Sequence, residues 1–536
     1  MFINQTNIPE RNHQVRQMQQ IYESSTQVIV WVGPDDEKNT SHDSDEPPTR
    51  AHQAITAITA ISDHLLTHYL TTTTLPSLPS HSNIYRDLLY TNRSSLPPPH
   101  LLPLTPAPSF PALVWFFSHP YFTRVWVMQE INANQARLVH IGPYTTAWER
   151  VELVAGYLIL DATFSQAYGF NSGVTHCWWA ATLTTERIRR PKNWVMMLYL
   201  ASNFFSLDRR DMIYGLGGLM KYSWENMDPE VGRLLQPDYK KSVVEVYRDS
   251  VEAALVGFGN TDVLLYVNGE DEEEEGEGKW PSWIPRWDRA MLFRNPFRFG
   301  NAFPWRPAGE GTTPVWRIKN YNETGVGDEY VLEMKGFVVE EIVGTRRYNQ
   351  GYFNTAIMKK SMEENMELVE AWQRMLGLLS SSSRIEKGPV SRQSLAAAAM
   401  ALSFGLDEDS ALAQDEHVLL NLVAYLKTIL PEGVFTRYIS SDLATEAADA
   451  DGYAFGKPVW DFDYPDSSFF VTPGGLVGCA TSSSQPGDIV AVFLGSTYPM
   501  VLRPEGDYFR IRGYAYIHGI MDGERKDSVQ TMFRIR

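Results

Sequence analysis

Residues 2–32, FINQTNIPERNHQVRQMQQIYESSTQVIVWV, decide how the first part of this chain folds. They read as a loop, an amphipathic helix and a buried strand. Pro9 stands where a first-turn proline is tolerated, because its missing N–H would have had no helical partner. Glu10 beside it suits the positive start of a helix. Val15, Met18, Ile21 and Tyr22 recur at helical spacing and make one apolar stripe. The pattern breaks at residues 24–27. Residues 28–32, VIVWV, follow without a polar side chain, as expected of a strand covered on both faces, with Trp31 in the core. Gly33, Pro34 and Asp35 end it as a turn.

Working outward, residues 34–50 are polar and acidic and read as an exposed loop. Residues 51–70 carry Ile55, Ile58, Ile61, Leu65 and Tyr69 at helical spacing. His64 and His68 lie one turn apart on that helix, but no third ligand accompanies them, so a solvated face is expected rather than a metal site. Residues 71–111 are rich in Thr, Ser, Pro and Leu and read as a low-complexity insertion, with a short helical piece at 84–90. Residues 121–131, YFTRVWVMQEI, predict a buried strand over 125–128. Glu130 then falls at its carboxyl end, where open α/β sheets bind ligands. Residues 151–200 read as mostly helical. In 207–219, LDRRDMIYGLGGL, Arg210 and Asp211 read as a helix-start pair. The glycines there do not form G-x-G-x-x-G and follow no strand, which argues against a nucleotide loop. Residues 237–256 predict another amphipathic helix, 269–278 an acidic linker, 330–343 a strand pair, and 468–524 a β-rich end.

Composition narrows the function classes. A chain of 536 residues exceeds one core. A formal charge of −17 argues against binding nucleic-acid backbones, which relies on clustered Lys and Arg. Cys177 and Cys479 are the only cysteines, too few and too far apart for a disulfide framework or a zinc site, and a reducing compartment is the simplest reading. No apolar run approaches the roughly 20 residues of a membrane helix. The opening residues lack a signal-peptide core, so a cytoplasmic protein is expected. There is no G-x-S-x-G, phosphate loop, H-E-x-x-H or Cys-x-x-Cys.

Three islands carry a resemblance. Asn4, Gln5, Glu10, Gln14, Val15, Met18, Ile21, Tyr22 and residues 31–33 resemble the signature of the fungal heterokaryon-incompatibility (HET) domain. Arg124, Trp126, Gln129 and Glu130 match its Arg-x-Trp-x-x-Gln-Glu motif. Asp208, Arg210, Asp211 and Tyr214 match its Asp-Pro-Arg-Asp helix, with Arg209 in place of the proline. Residues 280–285, WPSWIP, and the β-rich end also resemble elements of large HET-domain proteins. Phe2 stands where the family has cysteine and Asn7 where an acidic residue is usual. The family's preceding strand and Ser-Tyr-Thr-Trp-Gly segment have no counterpart. An N-terminally truncated domain of marginal stability is therefore expected, its sheet lacking the first strand.

The resemblance implies an α+β multi-domain chain. Residues 1–150 would form a TIR-like, flavodoxin-like α/β domain, 151–268 a helical extension, 269–279 an acidic linker and 280–536 an α+β region with a β-rich end. It implies an effector of fungal non-self recognition that triggers cell death or growth arrest. Such an effector acts through protein partners of the incompatibility system and through self-association, with no required cofactor. The TIR-like architecture implies an alternative, an NAD glycohydrolase. Its catalytic carboxylate would be Glu130, which stabilises an oxocarbenium-like transition state. Arg124, Trp126, Gln129, Asn4 and Gln5 would bind the substrate NAD. A third alternative is an inactive fragment. Against both active readings stands a structural one, in which Glu130 caps a helix or pairs with Arg124 and Trp126 is core.

Overall fold

The computed structural model describes residues 6–35, 48–72, 96, 109–170, 174–185, 188, 191, 193–224, 227–267, 269, 273–274, 278–291, 308–309, 311–321, 329–347, 366–382, 388–409, 411–460 and 467–536. The helical piece expected at 84–90 lies outside them, as do Asn4 and Gln5 and most of the acidic run. The chain divides into two compact units, residues 1–226 with 235–242, and residues 227–234 with 243–536.

The first unit opens with α1 (Ile8–Ser24). Asn7 is its N-cap, and its side chain accepts from Glu10 N at 3.2 Å, satisfying one of the orphan donors of the first turn. Pro9 sits in that turn, as expected. The strand β1 (Val28–Gly33) follows, then α2 (Arg50–Thr72), α3 (Ser109–Phe117), a 3-10 turn Pro120–Thr123, α4 (Val125–Ala133), β2 (Arg137–Ile141), β3 (Tyr144–Ala147) and α5 (Trp148–Leu158). The sheet order is β1-β2-β3, with β1 parallel to β2 and β3 antiparallel to β2. The helices α6 (Ala162–Tyr168), α7 (Cys177–Thr182), α8 (Trp194–Ala201), α9 (Asp211–Tyr214) and α10 (Gly217–Trp224) complete it, in line with the helical reading of 151–200.

Two expectations are overturned here. Residues 125–128 are helical, not extended: they open α4, and β2 follows Glu130 rather than preceding it. Val125, Val127, Met128, Gln129 and Ile131 are all buried, so α4 is enclosed on most of its circumference. A short apolar run of that kind has no stripe to distinguish it from a buried strand. Trp31 is not core. Val28, Val30 and Val32 are buried, while Ile29 is 60% and Trp31 52% exposed. β1 alternates, and its apolar residues on both faces hide the alternation in the sequence.

The second unit contains helix Val243–Phe258, which begins six residues later than expected. Besides the two-residue strands Glu273–Glu274 and Gly278–Lys279, which pair with each other, its strands are β4 (Trp316–Tyr321), β5 (Glu329–Glu341), β6 (Gly344–Arg347), β7 (Ser468–Val471), β8 (Val477–Ala480), β9 (Ile489–Phe493), β10 (Met500–Glu505), β11 (Tyr508–Ile517) and β12 (Gln530–Ile535). The pairings β10-β9-β5-β12-β11, with β11 returning to β10, close a ring, and closure removes the edges of those five strands. β8, β7 and β6 extend from β11, and β4 pairs with β5. The expected strand pair at 330–343 is one long strand, β5, and the β-rich end expected at 468–524 contains five strands, β7 to β11. Phe337, Ile342, Val490, Val492, Val501, Ala515 and Ile517 fill the core. Asp488, fully buried before β9, is clamped by Arg503 through bonds of 2.8 and 3.0 Å, a bidentate pair that satisfies both oxygens. In the WPSWIP element, Ser282 bonds the backbone of Arg536 and Ile511, and Trp283 Nε1 donates to Tyr330 O at 3.2 Å.

Cys177 and Cys479 are both buried free thiols. Among the described residues no group of three His, Cys, Asp or Glu side chains is arranged to hold a metal, His64 and His68 included.

Candidate functional site

α4 carries Trp126 and Glu130 one turn apart, and each anchors a different segment. α1 packs alongside α4: Arg11 and Trp126 share Asp211 at one end, and Tyr22 meets Glu130 at the other. Two helix-then-strand units, α1–β1 and α4–β2, thus lie side by side with their strands parallel. Asn134, just past α4, donates to Tyr22 O at 3.3 Å and to Ser25 O at 2.6 Å, which closes the carbonyl end of α1.

At the far end of this pair, Tyr22 Oη donates to Glu130 Oε1 at 3.2 Å, and Tyr121 Oη donates to Oε2 at 3.4 Å. Burial pushes the Glu130 carboxyl up, opposed by the Arg124 charge and by the two hydroxyl bonds. Burial, then the charge of Glu130, hold Tyr22 and Tyr121 far above the usual phenol range, so both remain donors. Arg124 is exposed at the N-cap position of α4 and makes no ion pair with Glu130. Its segment is held by the backbone: Phe205 N donates to Thr123 O at 2.6 Å and Val125 N to Phe205 O at 3.1 Å.

At the near end, Trp126 Nε1 donates to Asp211 Oδ2 at 3.2 Å. Tyr239 Oη donates to Asp211 Oδ1, and Ser206 Oγ to Oδ2 at 3.4 Å. Arg11 of α1 lies 2.9 Å from Asp208 and 3.6 Å from Asp211, with its guanidinium 3.4 Å over the Tyr239 ring. Arg210 clamps Asp208 at 2.9 and 2.8 Å and donates to the carbonyls of Tyr239 and Lys241 at 2.7 and 3.0 Å. Arg210 and Asp211 stand at the N-cap and first position of α9, a helix start as expected, and the side chain of each serves a different partner. Burial raises the Asp211 carboxyl, against the bonds from Tyr239 and Trp126. Burial also works to raise Asp208, but the bonds and charge of Arg210, with the charge of Arg11, bring it below its ordinary value. Asn12 exchanges bonds with Asp238 and Tyr239, at 3.3 and 2.9 Å, and so pins residues 235–242 to α1.

Between the two ends lies Gln129, 2% exposed. Its amide nitrogen donates to Gly215 O at 3.0 Å and its oxygen accepts from Gln19 N at 3.1 Å, an orientation assigned from those partners. The glycines of the GLGG run permit this approach. A Cβ on Gly215 would stand 2.7 Å from Asp211 O and 3.3 Å from Val125, and one on Gly218 would stand 2.5 Å from the Gln19 side chain.

The three islands thus meet around α4. Of the expected site residues, Glu130, Gln129 and Trp126 point into this buried assembly, Arg124 borders it, and Asn4 and Gln5 lie outside the described residues. Trp126 is an indole donor to a carboxylate. Sequence reasoning missed Tyr22 and Tyr121 as carboxylate partners, and Arg11 and Tyr239 altogether. In the sequence Tyr22 reads as part of an apolar stripe and of the family signature, not as a carboxylate partner.

The N-terminal island and its motif now have a context. Residues 1–130 match the family described as Heterokaryon incompatibility protein (HET), and residues 463–532 match the Het-6 beta-barrel domain. The chain thus carries a HET domain match at its start and a Het-6 barrel match near its end. It is similar to Heterokaryon incompatibility protein 6, OR allele, of Neurospora crassa, 22% identical over 602 aligned positions that cover 98% of this chain and 81% of that protein. No solved structure matches. The barrel match takes in β7 to β11 and the start of β12, whereas β5, which closes the ring between β9 and β12, lies outside it.

Proposed function

We propose that this chain is an effector of fungal non-self recognition whose HET domain triggers growth arrest or cell death by binding protein partners and self-associating. The observation that carries the reading is the HET match over residues 1–130. The relative named for heterokaryon incompatibility, aligned with nearly all of this chain, supports it. A cytoplasmic site of action belongs to the same proposal; the two free thiols support it.

A TIR-like NAD glycohydrolase is the second reading, and one observation favours it. Glu130 is a carboxyl of shifted pKa set among hydroxyls, the kind of environment in which catalytic carboxylates occur. The same observation weighs on the other side. Burial favours the neutral acid, whereas stabilising an oxocarbenium ion needs the anion. Both carboxyl oxygens are also already engaged by tyrosines that join α1 to α4.

Expression of the wild type and of Glu130→Gln in a fungal host, with purified protein incubated with NAD, separates the two. The effector reading predicts that both chains arrest growth and neither releases nicotinamide. Nicotinamide release by the wild type, lost together with growth arrest in Glu130→Gln, would establish the hydrolase instead.

A further inference from the structure

The sheet of the first unit has an open side. α2 packs against β3, whereas β1 ends the order β1-β2-β3 and pairs with β2 alone among the described residues. Val28 N donates to Ala136 O at 2.8 Å, which fixes the direction in which the backbone of β1 faces β2. Backbone groups alternate along a strand, so the N–H and C=O of Ile29 and Trp31 point away from β2. The side chains of the same two residues are exposed.

A free edge is commonly blunted by a lysine, a proline or a bulge. β1 carries none of these where it matters. Its one register shift lies between Trp31 and Gly33, after both residues, and residues 24–34, SSTQVIVWVGP, contain no charge and no proline before Pro34. Water satisfies the outward backbone groups, so the edge by itself sets only the geometry of an occupant, an extended strand. What water leaves unfavourably exposed is the apolar pair Ile29 and Trp31, and that pair selects the occupant.

A second β1, laid antiparallel about a twofold axis through Val30, sets Ile29 opposite Trp31 and Trp31 opposite Ile29. Both are pairs that exchange N–H and C=O bonds, because both residues turn those groups outward. Both also fall on one face, so isoleucine packs on indole twice, an aromatic and β-branched pairing favoured across strands. The strand is thus complementary to itself in backbone and in side chains. Charge agrees. The chain has a formal charge of −17, and copies that meet along this uncharged run bring no carboxylates into opposition there.

We propose that two copies of this chain pair through β1, antiparallel and in that register, joining their sheets into one. This rests on the self-association in the effector reading and names its surface. One short strand a side is less than a standard stable interface, so the pairing is weak and concentration-dependent.

Sedimentation velocity of the full chain, from about 1 to about 200 µM, is expected to show a reversible monomer–dimer equilibrium. Trp31→Lys places a charge in the paired face. Ile29→Pro removes an outward N–H and leaves the bonds to β2 in place. Each is expected to raise the dimer dissociation constant more than about tenfold, with near-UV circular dichroism identical to the wild type showing that the variants are folded. Cysteines read the register. Ile29→Cys and Trp31→Cys chains, mixed in air, should form a disulfide between copies, since such a pair stands about 5.5 Å apart between Cα atoms. Either variant alone should crosslink several-fold more slowly. Cys177 and Cys479 are buried and do not compete.

A wild type that stays monomeric over the whole range would overturn the proposal together with self-association. A wild type that dimerises as tightly as both variants would overturn pairing through β1 and leave self-association to another surface. Cysteine variants that crosslink alone as fast as when mixed would overturn the register.

Discussion

Asp211→Ala tests the near end of the α4 assembly. The substitution removes the acceptor of Trp126 Nε1 at 3.2 Å, of Tyr239 Oη and of Ser206 Oγ at 3.4 Å, while Arg11 keeps Asp208 at 2.9 Å. Trp126 and Tyr239 are left with donors in a largely buried setting, and each donor stripped of its acceptor costs about 1–3 kcal/mol. Burial of the carboxyl, which raises its pKa, opposes this, because deleting the group removes that desolvation penalty. The balance is a loss of roughly 2–4 kcal/mol. In a unit of this size that lowers the melting temperature by roughly 4–16 °C, at about 2–4 °C per kcal/mol. Asp211→Asn keeps one acceptor oxygen and the shape, and its loss should be less than half as large. Calorimetric melts at pH 7 with near-UV circular dichroism provide the measurement. A melting temperature within 1 °C of wild type for Asp211→Ala, or equal losses for the two variants, would refute the claim that acceptance of these bonds holds the islands together.

Other outcomes follow from the same structure. Burial pushes the Asp262 carboxyl up to about 6, with Thr497 N donating to it at 3.1 Å. Because the folded pKa lies above the unfolded one, the group's contribution is complete below about pH 4 and is lost as the pH rises through about 6. Asp262→Asn should therefore stabilise the chain by up to about 3 kcal/mol at pH 7.5 and by nothing near pH 4, as measured by urea melts at the two pH values. Gly215→Ala places a methyl 2.7 Å from Asp211 O and should destabilise by about 1–3 kcal/mol in thermal melts. Gly217→Ala, with nothing within 4 Å of the added carbon, should be neutral or stabilising by about 0.5–1 kcal/mol. Trp31→Ser should cost about half of the roughly 3–5 kcal/mol lost on truncating a fully buried tryptophan, since the ring is half exposed; a loss of the full size would restore Trp31 to the core.

What was legible in the sequence depended on contrast between faces. α1 and α2 each bury one side, so their apolar residues fall at helical spacing and their bounds were readable within a few residues. α4 is enclosed by α1, the 3-10 turn and the α9–α10 segment, and enclosure erased the stripe that would have marked it as helical. β1 failed for the opposite reason: its exposed positions, Ile29 and Trp31, are apolar, so a one-sided strand looked two-sided. The strands of the barrel were readable one by one from alternation and turns. That β5 joins β9 and β12 depends on pairing across more than a hundred residues, which no local pattern specifies.

The site followed the same rule. Glu130, Trp126 and Asp211 stood out as charged or large residues at family positions. Their partners Tyr22, Tyr121, Arg11 and Tyr239 lie on other elements and are ordinary residues in their local settings. Tyr22 and Glu130 are 108 residues apart, and only the packing of α1 on α4 makes them a pair.

The central claim is that the first island reaches α4 through that pair, and a double-mutant cycle measures it directly. Stabilities of wild type, Tyr22→Phe, Glu130→Gln and the double variant should yield a coupling energy of about 1 kcal/mol between the two positions. Additive losses, with coupling below about 0.3 kcal/mol, would contradict the account, because two residues that do not meet cannot hold α1 against α4.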